Sequence, residues 1–264
     1  MPHSVTAGDV DLAASAAHHL GRRHDRFIAV AVSGGHVRTT HVGLEEGADV
    51  EIGSVSKGVT GMLFAASRAR GETTDATRLG DLLPLGGSPA AQVTLGELAT
   101  HRSGLPRLAK GTASVRATLD LRRRGANPYG ESLDELLRAT RATRVGRKRA
   151  SYSNLGFMLL GHAVAAAAGT TYAGLVRDRL TEPLRLVATT VPASPADLGP
   201  SAVTGRSSGG RAMEAWTGEA LGPAGGIPLD VATADGYEKF LVIATKPRDY
   251  VRPPMQHTRA LRTA

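Results

Sequence analysis

The sequence predicts an α+β chain, and three observations carry that expectation. Phe27-Ile-Ala-Val-Ala-Val32 and His36-Val-Arg-Thr-Thr-His-Val42 read as two strands joined at Ser33-Gly34-Gly35, the first short and β-branched, the second alternating apolar and polar. From Val50 a short extended segment meets Gly53 and becomes an apolar helix that ends near Gly71. From about Asp75 to Thr190 helical patterning dominates, broken by loops that contain Gly or Pro.

The remaining elements follow in order. Residues 7 to 20 are alanine-rich, with Asp at the start and Gly21 after the end, which predicts a capped helix ahead of the hairpin. Within the helical middle the pattern is carried by Leu95 to Thr100, Leu133 to Thr143, Leu155 to Ala168 and Tyr172 to Leu180. Val191 to Pro228 is rich in Pro, Gly and Ser and reads as loop. Ala232 to Ala244 predicts an amphipathic helix with Tyr237, Phe240 and Leu241 on one side. Beyond Lys246, three prolines and four arginines predict a poorly ordered tail.

With 264 residues and 41% hydrophobic side chains, the chain has material for one large domain or two interleaved ones. It contains no cysteine, so a disulfide framework, a cysteine nucleophile and a thiolate metal site are all excluded. The first residues show neither a basic n-region nor an apolar h-region, which argues against a secretory signal and leaves a cytoplasmic location as the expectation. The longest apolar runs, Gly61 to Ala66 and Phe157 to Ala168, are too short for ~30 Å of hydrocarbon, so no membrane span is expected.

Thirty-two basic against 24 acidic residues give a formal net charge of +8. Part of the excess is concentrated in Arg122, Arg123 and Arg124, and again in Arg138, Arg141, Arg144, Arg147, Lys148 and Arg149. Aromatic residues make up only 4%, and no nucleic-acid motif accompanies these clusters, so the expected reading is a solvated arginine face with no nucleic-acid partner. His18, His19 and His24 do not make a metal site, because adjacent histidines do not share a helix face and no matching ligand cluster follows. Trp216, the only tryptophan, reads as core cover in a Gly-rich loop.

Chemistry concentrates at Ser54-Val-Ser-Lys57, where a serine and a lysine three residues apart share one helix face. A serine hydroxyl is a weak nucleophile until a base takes its proton, and an amine desolvated against an apolar helix can be tuned toward that task. At the first turn Ser54 also meets backbone N–H groups that stabilise a developing oxyanion. Taken alone, Ser-x-x-Lys should occur by chance on the order of once in a chain this long, and a surface lysine near an N-cap serine has the same spacing. A second constellation, Tyr152-Ser153-Asn154, stands directly before the apolar helix from Leu155. Lysine beside tyrosine favours the phenolate, so the pair can act as a base. Singly, Tyr152 reads equally as a packed boundary aromatic and Asn154 as a helix cap.

These residues resemble the serine β-lactamase and penicillin-binding-protein superfamily, in the branch of class C β-lactamases, D-alanyl-D-alanine carboxypeptidases and related esterases. Glu51-Ile-Gly-Ser-Val-Ser-Lys-Gly-Val-Thr-Gly-Met-Leu63 resembles the family's nucleophile helix. Val93-Thr-Leu-Gly-Glu-Leu-Ala-Thr-His-Arg-Ser-Gly-Leu-Pro106 resembles its Thr-His-x-Ser-Gly-Leu-Pro segment, in which His101 and Ser103 are expected to be structural. Tyr152-Ser-Asn-Leu-Gly-Phe157, Glu182-Pro-Leu184 and Pro223-Ala-Gly-Gly-Ile227 resemble three further landmarks in the same order.

The resemblance implies an antiparallel sheet built from both chain ends, flanked by helices, with an inserted helical domain. The expected division is an N-terminal part of the α/β domain at 1–74, a mainly helical domain at 75–190, a loop and helix returning to the α/β domain at 191–245, and a tail at 246–264. It further implies Ser54 as acyl-accepting nucleophile, Lys57 as its activating amine, Tyr152 as base and water activator, and Asn154 as a substrate amide contact. No metal or organic cofactor is implied; the substrate is a small ester, amide or lactam.

One family feature is not found. No Lys-Thr-Gly or His-x-Gly motif follows the last helix; His257-Thr258-Arg259 has arginine where glycine would allow close backbone approach. The expectation is that C-terminal strands are missing, and the alternative function is a truncated, weakly active or inactive relative that acts as a binding protein.

Overall fold

The computed structural model describes residues 5–20, 24–33, 36–109, 132–205, 212–215, 217–218 and 239–244. Among these residues the sheet has four antiparallel strands in the order β1-β3-β2-β4: β1 (Val5–Gly8), β2 (Phe27–Ser33), β3 (His36–Val42) and β4 (Lys239–Ala244). The expected hairpin is in place, with Phe27 opposite Val42 and Ser33 opposite His36. Successive strand residues point to opposite faces, so Phe27, Ala29 and Ala31 present one apolar row. Helix α1 (Val10–Leu20) covers it with Leu12, Ala13 and Ala16, and these side chains bury one another.

Two elements differ from expectation. The helix expected over 7–20 is preceded by β1 and starts only at Val10, after the Asp9 carboxylate accepts the Leu12 N–H at 2.8 Å. Gly8 explains the short strand: at φ +95 its backbone lies so near β3 that a Cβ would sit 2.2 Å from the Thr39 carbonyl oxygen. The helix expected over 232–244 is replaced at its end by strand β4, paired along β2 from Val32↔Lys239 to Phe27↔Ala244. Phe240-Leu-Val-Ile-Ala244 is an unbroken apolar run with β-branched residues, a pattern that suits a strand paired within a sheet, and a run this short does not distinguish the two periods. One C-terminal strand is therefore in the sheet, and β2 is flanked on both sides. The expected tail at 246–264, His257-Thr258-Arg259, Pro223 to Ile227, Trp216 and Arg122 to Arg124 lie outside the described residues.

A larger core is helical. Its axis is α6 (Asn154–Ala167), buried from Asn154 through Ala165 and apolar on every side, as a helix enclosed by its neighbours should be. Around it stand α2 (Ser56–Ala69), α3 (Leu79–Leu82), α4 (Leu95–Ala99), α5 (Leu133–Arg141) and α7 (Tyr172–Val176). A π turn (Arg177–Thr181) leads from α7 into the short α8 (Glu182–Leu184). The two longer caps are written in the sequence: Thr94 with Glu97 and Ser132 with Glu135 each form a reciprocal capping box.

Polar ties fix α2 within this core. The buried Thr60 and Tyr172 hydroxyls lie 2.8 Å apart, joining α2 to α7, and burial pushes the Tyr172 phenol far above the usual tyrosine range so that it stays neutral. At the other end of α2, Glu72 takes a two-pronged contact from Arg179 at 2.8 and 2.6 Å and a hydrogen bond from Ser67 at 2.9 Å. Of the second basic cluster, Arg141 donates to the Pro84 carbonyl and Lys148 pairs with Glu97, while Arg138, Arg144, Arg147 and Arg149 include no ion pair among the described residues. No single described helix is long and apolar enough to cross a membrane; one pair, α6 with the segment to Leu184, passes by length and composition but is bent by 75°.

Candidate active site

A tight 3₁₀ turn, Gly53–Val55, precedes α2 and carries Ser54 into solvent, while Lys57 is drawn down into the protein at 7% exposure. Lys57 Nζ donates to Ser54 Oγ at 3.2 Å. The turn brings the two side chains together as the spacing implies, with Ser54 two residues ahead of the α-helix rather than within it.

Tyr152 reaches the same oxygen from a different part of the chain. Its hydroxyl donates to Ser54 Oγ at 2.8 Å. The residues around it are held by two strands of loop running side by side: Gly146 N–H bonds to Gly104 O at 2.8 Å, Ser151 N–H to His101 O at 2.8 Å, and the Asn154 and Leu155 N–H groups to Arg107 O at 3.0 and 3.1 Å. Ser153 completes the junction, its hydroxyl donating to Pro106 O at 2.7 Å and accepting the Gly156 N–H at 2.9 Å as the N-cap of α6. Asn154 is the first residue of α6 and buried, and its Oδ1 has no hydrogen-bond partner among the described residues. Ser54, Lys57 and Tyr152 are therefore in direct contact; the Asn154 side chain lies at the same helix start without bonding to them.

Two cations flank the phenol. Lys57 Nζ is 5.0 Å and the Arg107 guanidinium carbon 5.6 Å from the centre of the Tyr152 ring. Partial burial raises the Tyr152 phenol, but hydrogen bonds with Lys57 and Ser54 and the charges of Lys57 and Arg107 outweigh it, and the group ends below the usual tyrosine range. Lys57 is also lowered, first by burial and then by Arg107, with Tyr152 acting in the opposite direction. Both groups are thus held below their ordinary ranges, the direction a base that works near neutral pH requires. Sequence reasoning did not single out Arg107, whose place over the phenol depends on a loop path that no local pattern announces. Among the described residues no group of three or more His, Cys, Asp or Glu side chains gathers as for a metal ion.

The family model described as Beta-lactamase matches residues 11–263. The chain belongs to the β-lactamase family. Among β-lactamase-family structures, a class C β-lactamase from Rhodobacter sphaeroides superposes with a TM-score of 0.64 at 26% identity, covering 82% of this chain and 61% of that one. A D-alanine carboxypeptidase AmpC from Burkholderia cenocepacia shares the fold with a TM-score of 0.63 at 23% identity, over 83% of this chain and 60% of its own. The D-alanyl-D-alanine-carboxypeptidase/endopeptidase AmpH of Escherichia coli K12 is 36% identical over 103 residues, 39% of this chain and 25% of that protein. This β-lactamase-family chain thus spans about three fifths of these solved relatives, and its match to AmpH covers a quarter of that protein.

Proposed function

We propose that the chain is a serine hydrolase that forms an acyl-enzyme on Ser54 from a small ester, amide or β-lactam. The observation that carries this reading is the position of Ser54 Oγ, 2.8 Å from the Tyr152 hydroxyl and 3.2 Å from Lys57 Nζ. With Tyr152 as phenolate and Lys57 as ammonium, the Ser54 proton passes along the existing contact to the phenolate as Oγ attacks the carbonyl carbon. The carbonyl π electrons move to oxygen, and the positive end of the α2 dipole stabilises that charge. Collapse of the tetrahedral adduct expels the alcohol or amine, which takes the proton from Tyr152; water, deprotonated by the same phenolate, then releases the acid. Asn154 serves as the amide contact for the substrate, its Oδ1 being an acceptor without a donor among the described residues.

Intact-mass measurement after exposure to a fluorophosphonate, a p-nitrophenyl ester and a chromogenic cephalosporin tests this. One covalent adduct on the wild-type chain and none on Ser54→Ala is the expected result. A wild-type chain that takes up no adduct Ser54→Ala lacks, while folded, overturns the proposal and leaves the binding-protein alternative.

A further inference from the structure

His101 surrounds the residue on which the proposed chemistry depends. Its carbonyl oxygen accepts the Ser151 N–H at 2.8 Å and its Nδ1 accepts the Ser153 N–H at 3.2 Å, so the peptide groups on either side of Tyr152 are both bound to one residue. Its ring lies between two others, 4.8 Å from the Tyr152 centroid and 4.8 Å from the Phe157 centroid. The backbone of His101 is left-handed, at φ +56, one of only two such non-glycine residues among those described. That conformation costs an L-residue roughly 1–2 kcal/mol, and glycine would adopt it freely. A side chain retained where glycine is easier points to a task for the side chain.

We infer that His101 is a positioning residue for Tyr152: its neutral imidazole, accepting at Nδ1 and packed at a tilt against the phenol ring, holds the hydroxyl on line with Ser54. The inference rests on the acyl-enzyme reading above, because it is the base of that reaction that is being held. An Nδ1 that accepts must be unprotonated, with the ring proton on Nε2. The surroundings keep it so: burial lowers the imidazole's affinity for a proton, and the Lys57 charge lowers it further. Among the described residues the charged or titratable groups recorded against the ring are Lys57 from α2 and Tyr152 from the segment before α6, and neither is a carboxylate that would favour the imidazolium.

The test compares His101→Gly, which relieves the backbone and removes all three side-chain contacts, with His101→Asn, whose Oδ1 replaces the Nδ1 acceptor and whose backbone tolerates the left-handed region. Thermal melting establishes the folded fraction of each. Two readouts follow: the rate of fluorophosphonate labelling at Ser54, and the near-ultraviolet titration of the Tyr152 phenolate, taken as the difference from Tyr152→Phe in the same background.

For His101→Gly, labelling per folded molecule falls about 10- to 100-fold and the Tyr152 titration moves up toward the usual tyrosine range, since a displaced phenol loses Lys57. His101→Asn recovers most of both. An unchanged titration and unchanged labelling per folded molecule in His101→Gly overturn the inference, as does an Asn variant no better than Gly. The two proposals fail separately: a wild-type chain that never labels refutes the hydrolase reading, whereas the phenolate titration still reports whether His101 holds Tyr152.

Discussion

Tyr152 and Ser54 are 98 residues apart in sequence, yet the phenol hydroxyl lies 2.8 Å from the serine oxygen. Neither residue lies within a regular α-helix or strand. Ser54 stands on the turn before α2 and Tyr152 on the turn before α6, and these two helices pack against each other with their N-termini close together. Contact between the helices therefore fixes contact between the side chains.

The pH dependence of ester turnover should follow Tyr152. The phenol is held below the usual tyrosine range, so activity rises with pH as it ionises, and the acid limb of the profile lies below that range as well. Lys57→Met removes both the hydrogen bond and the charge that favour the phenolate while burial still opposes it. The limb then moves to higher pH, and the rate falls ~100-fold or more. Initial rates across a pH series for the two proteins check this; a limb unmoved by the substitution contradicts the assignment.

Gly104→Ala should damage the site from a distance. At φ +73 an added Cβ would fall 2.4 Å from the Gly146 carbonyl oxygen, so both the backbone conformation and the loop pairing beside Tyr152 oppose it. A loss of roughly 2–3 kcal/mol in unfolding free energy is expected, together with slower Ser54 labelling among the molecules that remain folded. Denaturant melts and labelling kinetics read the two effects separately.

Arg179→Ala tests the tie between the end of α2 and the π turn. Side-chain exposures of 14% for Arg179 and 23% for Glu72 place this pair between surface and interior, and its loss should cost about 1–2 kcal/mol. The pair holds the Glu72 carboxyl below its ordinary range. Its stabilisation is fully present above the unfolded-state value and fades as pH falls through the folded one. Wild type and Arg179→Ala should therefore differ near neutrality and converge in acid, as urea melts at several pH values will show.

Much of the fold was legible because its signals are local. The first hairpin strand is apolar and β-branched and the second alternates, the helix from Asn154 is almost wholly apolar, and Gly53 marks where extended chain turns into α2. The two misreadings have a common cause. β1 is four residues long and needs its partner β3 to exist, and β4 carries an apolar run that either period accommodates until β2 is beside it. At the site, Ser54, Lys57, Tyr152 and Asn154 stand in short recognisable patterns, and the structure brings the first three into contact. Arg107 and the full reach of His101 were hidden, because a cation over a ring and a carbonyl bonded across a loop depend on chain paths and not on neighbouring letters.

Strand β4 has a kinetic consequence. It seats residues 239–244 against residues 27–32, so the sheet joins segments about 200 residues apart in sequence. Such a distant pairing forms slowly compared with the local contacts of a helical core. On a ribosome, which extends the chain from its N-terminus, the helices around α6 emerge before β4 does, and β2 waits with one flank open. The interval before β4 arrives is when this chain is most exposed to pairing with a neighbour.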